Sequence, residues 1–123
     1  MDRKMIVHDV SQALLKKEFS SLGPLAERHG SWEIIFCRKS DGLDRLISLG
    51  FTGAELEIRI GADDGQKFVS QRFLTILALS DDCNPRIRNF LLFALLDCAV
   101  DTTMAFTALD LNQTHQEVVS DRS

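Results

Sequence analysis

Tyrosine is missing from this 123-residue chain, whose aromatic side chains are one tryptophan and eight phenylalanines. Rings without a hydroxyl suit a dry core better than a wet recognition surface. Only three cysteines occur, Cys37, Cys83 and Cys98, and none form a CxxC pair. That spacing argues against a disulfide framework or a structural zinc site, and fits reduced thiols in a cytoplasmic protein. Basic runs are lacking too. Fourteen Lys and Arg face 18 Asp and Glu, for a net charge of -4, so no nucleic-acid partner is expected. The longest apolar run, Phe90 to Leu96, falls far short of the ~20 residues of a spanning helix. The N-terminus has too short an apolar stretch for a secretory signal. No membrane partner is therefore expected.

Catalytic signatures are scarce as well. GxSxG, P-loop and GxGxxG patterns are absent, and Gly61 to Gly65 reads as a turn. His8, His29 and His115 do not stand at metal-ligand spacing with any cysteine or carboxylate. Cys37 sits on a predicted strand and Cys98 on an apolar helix, where a thiol is usually inert packing. These absences favour a protein without catalytic residues or cofactors.

What remains is a globular composition, 45% hydrophobic and 26% charged, in a chain long enough for one self-sufficient domain. The reading is a leader over 1–8, a domain over 9–111 and a polar tail over 112–123. Asp9 and Gln12 resemble a capping box, and Leu15, Phe19 and Leu22 fall on one helical face. A helix over 9–29, broken at Gly23-Pro24, follows. Strands are predicted at about 32–38, 43–51, 54–60 and 67–79. Asp41-Gly42 supplies hairpin chemistry between the first two. The second could instead be a short helix framed by Asp41 and Gly50. Leu56, Ile58 and Ile60 alternate with Glu55, Glu57 and Arg59, the pattern of a half-buried strand. The end of the last strand, Leu74 to Leu79, is apolar on both faces. Asn84-Pro85 then opens a long helix, 85–101 or longer, with 102–111 either continuing it or forming a further strand. The fold class is α+β: a four-stranded antiparallel meander with helices packed on it in two layers.

The long helix is greasier than a small domain needs. At ~100° per residue, Arg86, Asn89, Asp97 and Asp101 mark its polar edge, yet Phe90, Phe93 and Val100 lie among them. An apolar patch inside a polar rim is the anatomy of a protein contact. Phe90, Phe93, Asp97 and Val100 are therefore the candidate partner-binding residues, with Phe93 as anchor and Arg86 and Asp97 setting register. Homodimerisation is the simplest version, because one self-complementary patch suffices. The plain alternative is a loop or the N-terminal arm folded over that edge.

Two weaker constellations remain. Arg86 and Arg88 oppose the helix dipole, so with the free N–H groups of the first turn they could hold a phosphate or carboxylate. Asp81 and Asp82, just upstream, offset them. Asp41, Asp63 and Asp64 fall at one end of the meander with Asp44 nearby, which could suit Mg²⁺ or Ca²⁺. A solvated acidic loop is the plainer reading. Trp32 either caps the core or awaits a partner. A small, acidic, mixed α+β chain with an over-apolar helix resembles bacterial secretion chaperones and toxin-immunity proteins in these gross features alone. The expected function is a protein-binding module of adaptor, chaperone or immunity type, homodimeric through the long helix. The rival is a small-ligand protein or enzyme with an anion site at the start of that helix.

Overall fold

The computed structural model describes residues 3–53, 55–63, 68–78 and 84–107. Helix α1 spans Arg3–Leu15, and strands β1 (Ser20–Ser21) and β2 (Ala26–Arg28) follow it. Four long strands come next: β3 (Ser31–Ser40), β4 (Leu43–Thr52), β5 (Glu55–Asp63) and β6 (Phe68–Ala78). Helix α2, Pro85–Ala105, completes the chain. The predicted tail 112–123, the stretch 108–111, Asp64, Asp81, Asp82, Cys83 and His115 lie outside the described residues.

The sheet is antiparallel, in the order β1-β3-β4-β5-β6, and β2 also pairs along the edge of β3. The predicted α+β, two-layer meander is the observed architecture. Segment 43–51 is a strand, not a helix, because Asp41 and Gly42 both adopt positive φ, 55° and 77°. That is the conformation of a two-residue hairpin turn, and it sets Ser40 opposite Leu43. His29 and Gly30 repeat the device between β2 and β3, with Arg28 opposite Ser31.

The N-terminal region differs from its sequence reading. Residues 3–8, expected as a leader, form the first turns of α1, and the helix ends at Leu15. Its buried stripe is Ile6, Val10 and Leu14, one residue away from the predicted Leu15, Phe19 and Leu22 face. Glu18 takes φ 67°, the Phe19 amide bonds back to the Leu14 carbonyl and the Glu18 amide to that of Leu15. This is a Schellman stop, with Phe19 packed beneath the last turn. Gly23-Pro24 therefore does not begin a second helical piece. It is the kink between β1 and β2, and 26–28 is extended.

The inner face of the sheet carries the core. Ile34 and Phe36 of β3, Ile47, Leu49 and Phe51 of β4, and Leu56, Ile58 and Ile60 of β5 pack with the stripe of α1. Leu92, Leu96, Ala99 and Val100 of α2 join the same cluster. Trp32 is half-buried against it with the Arg3 guanidinium 5.3 Å from its ring, so it caps the core.

Two arginines stand side by side on this face, Arg38 of β3 opposite Arg45 of β4. Each reaches a different helix C-terminus, where unsatisfied carbonyls and the negative end of the dipole favour a cation. Arg38 donates to the Lys17 carbonyl at 3.1 Å and pairs with Glu18 at 2.9 Å. Arg45 is 2% exposed. It donates to the carbonyls of Thr103 and Phe106, the second at 2.8 Å, and lies 3.8 Å from the Asp41 carboxylate. Thr103 in turn donates its hydroxyl to the Gly61 carbonyl at 2.8 Å. The C-terminal end of α2 is thus pinned to β4 and β5.

Candidate protein interface

The sequence of α2 defines both of its faces. Asn84 is the N-cap and accepts the Arg86 amide at 2.9 Å, with Pro85 in the first turn. Leu92, Leu96, Ala99 and Thr103 recur at helical spacing, are buried, and lie over β4 and β5. About 180° around the helix from them stand Ile87, Ala94, Asp101 and Ala105, flanked by Phe90, Leu91 and Cys98. All seven are exposed. Phe90 is 75% exposed, Ile87 57% and Leu91 44%. A helix that served only its own core would carry polar residues there.

This arrangement corrects the membership of the expected partner surface. Val100 is 7% exposed and belongs to the core, because it follows Leu96 and Ala99 on the inward stripe. Phe93 is half-buried and packs against the margin of the core. Phe90 and Asp97 are exposed, as the patch requires. The exposed residues that the sequence reading left out of this patch are Ile87, Leu91, Ala94 and Cys98. Their signal was present in the sequence as a regular stripe, but it becomes readable only once the inward stripe is known.

The face has an unusual charge order. The first turn of α2 holds no acid and the last turn no base. Arg86 stands exposed near the N-terminus, and Asp97 and Asp101 stand exposed toward the C-terminus. Arg86, in the first turn, opposes the helix's own dipole, and the two acids lie on the C-terminal half where the dipole offers them no support.

The weaker constellations fare differently. Arg86 is exposed and Arg88 half-buried, so the two do not project together into one shared site. The layer between α2 and the sheet is occupied by the apolar core. A cavity of about 240 Å³ lies instead on the outer sheet face, lined by Ile35, Leu46, Ser48 and Arg59 among others. Arg59 is tied to Glu57 there, and this bond raises the guanidinium pKa further. Asp44 and Asp63 are cross-strand neighbours, and Asp41 turns toward Arg45. Among the described residues, no three His, Cys, Asp or Glu side chains form a cluster that could hold a metal ion. Cys37 and Cys98 are free thiols. Burial pushes the Cys37 thiol up, Asp44 adds to the rise and Lys39 partly opposes it, so it is a poor nucleophile at neutral pH. His8 and His29 are exposed. Among the described residues, no helix is long and apolar enough to cross a membrane.

Comparison with protein-family models, curated proteins and solved structures finds no match to this chain.

Proposed function

We propose that this chain is a non-catalytic protein-binding module that assembles through the outward face of α2. The observation that carries the reading is the exposure of Ile87, Phe90 and Leu91 on a helix whose opposite face already completes the core. Burying a side chain of that size removes about 1.5–3 kcal/mol of unfavourable hydration. Three on one face, ringed by Arg86, Asp97 and Asp101, give an apolar centre inside a polar rim. A self-complementary patch makes a homodimer the economical assembly.

Leu91→Glu tests this reading, because Leu91 lies outside the buried core. Molar mass is measured by light scattering over a hundredfold dilution, with circular dichroism as a check on folding. The expected result is a wild-type dimer and a folded monomeric variant. A wild type that remains monomeric throughout, or a variant that associates as tightly, overturns the proposal.

A further inference from the structure

We infer that the partner surface is α2 of a second copy, packed antiparallel on the first, with the two-fold axis passing between positions 92 and 93. This rests on the proposed self-association and adds its geometry. Size and charge on the exposed face point the same way, and its spacing permits the arrangement.

The first is spacing. Ile87, Leu91, Ala94 and Cys98 follow one another at intervals that alternate between four and three residues. That is the period of a seam between two helices. The inward stripe Leu92, Leu96, Ala99 and Thr103 has the same spacing against the sheet, so the period permits a seam without requiring one.

The second is size. The large residues of the seam, Ile87 and Leu91, precede the small ones, Ala94 and Cys98. A parallel pair would set large on large and leave a void around Ala94. An antiparallel pair sets Ile87 on the second copy's Cys98 and Leu91 on its Ala94. One register satisfies both layers, because both pairs are centred on the same point of the helix. Large against small fills the seam without voids.

The third is charge. Arg86, Phe90 and Asp97 share one flank of the seam, and in an antiparallel two-fold pair each flank meets its own copy. The same register brings Arg86 between Asp97 and Asp101 of the second copy, each within about one helical turn along the axis. It also sets that Asp101 opposite Asn84, the N-cap, where the partner helix's dipole favours an anion. The order of charge that opposes α2's own dipole is complementary to that of an antiparallel neighbour.

Cross-linking and charge exchange test the arrangement in the full-length chain. Ile87→Cys, oxidised with copper phenanthroline, is expected to form a covalent dimer joined from position 87 to the native Cys98, as read by peptide mass mapping. Ile87→Cys with Cys98→Ser is expected to give no such link, and the wild type no Cys98–Cys98 link. Arg86→Asp alone, and Asp97→Arg with Asp101→Arg alone, should each weaken self-association roughly tenfold at low salt. An equimolar mixture of the two should form a heterodimer with affinity restored. A wild type that links through Cys98 to Cys98, or a mixture without recovery, overturns the antiparallel register. If Leu91→Glu still dissociates that dimer, the proposed function survives the loss of this geometry. A wild type that is monomeric at every concentration removes both.

Discussion

Replacing Arg45 by alanine tests how the C-terminal end of α2 is held to the sheet. The side chain is almost wholly buried and bridges two carbonyls, those of Thr103 and Phe106. Removing it takes one of two donors from the Thr103 carbonyl, which keeps the Phe106 amide, and takes the guanidinium from the part-buried Phe106 carbonyl. Each hydrogen bond from a charged donor is worth about 1.5–3 kcal/mol. The void left by the lost stem adds to this. Against these losses stands relief of the guanidinium's own desolvation, since Asp41 is 3.8 Å away and Nε finds no hydrogen-bond partner among the described residues. The net expectation is a loss of about 3 kcal/mol for Arg45→Ala. Arg45→Lys should lose about half as much, because an ammonium keeps the charge but lacks the planar fork that spans two carbonyls. Urea unfolding followed by circular dichroism gives both values. Amide exchange should show the last turn of α2 opening first, since the Phe106 amide bonds to the Thr103 carbonyl beside the lost anchor. A cost below about 1 kcal/mol for the alanine variant, with unchanged protection at that turn, would refute the latch.

Glycine conformation and thiol burial give two more tests. Gly42 has φ 77° and nothing within 4 Å of where a Cβ would lie, so Gly42→Ala should cost about 1 kcal/mol from backbone strain alone. Gly50→Ala is the control: its φ is ordinary and the nearest atom is the Glu57 carbonyl oxygen at 3.9 Å, so denaturation midpoints should shift by less than about 0.5 kcal/mol. Cys37 holds its proton more tightly in the folded chain than the ordinary pKa of 9.0 allows, chiefly through burial. As pH rises through 9.0 the unfolded chain gives up that proton first, so this contribution to stability is intact below that pH and declines above it. Peptide-resolved alkylation at pH 8 of the monomeric Leu91→Glu variant should label the exposed Cys98 well before the half-buried Cys37, and equal rates would count against the shielding of Cys37.

Strands β3, β4 and β5 were legible because a period of two is a local signal. Ile34 and Phe36, then Ile47, Leu49 and Phe51, then Leu56, Ile58 and Ile60 stand at every second position, and Asp41-Gly42 announces its own turn. Arg45 was legible in principle, since it breaks the run Leu43, Ile47, Leu49 and Phe51 on the inward positions of β4. What it is for depends on residues 58 to 61 positions away, which no window on the sequence brings together. The N-terminal helix was misplaced for a different reason. Leu15, Phe19 and Leu22 have helical spacing, but Phe19 earns its burial just beyond the helix, under the Schellman stop. Periodicity counts spacing and does not detect a left-handed residue such as Glu18 that ends the run.

The sequence by itself determined the class of this protein: an α+β fold, an antiparallel meander, and a long helix with more apolar residues than one inward face holds. Those properties follow from composition and from local periods, which survive without knowledge of what packs on what. Only the tertiary structure decided which side of α2 is spent on the core. Apolar residues occur nearly all around the helix, so its hydrophobic pattern has no strong direction. Contact with β4 and β5 claims Leu92, Leu96, Ala99 and Val100, and leaves Ile87, Phe90 and Leu91 in water. The exposed apolar face is the remainder after the core is subtracted, and that subtraction requires the fold.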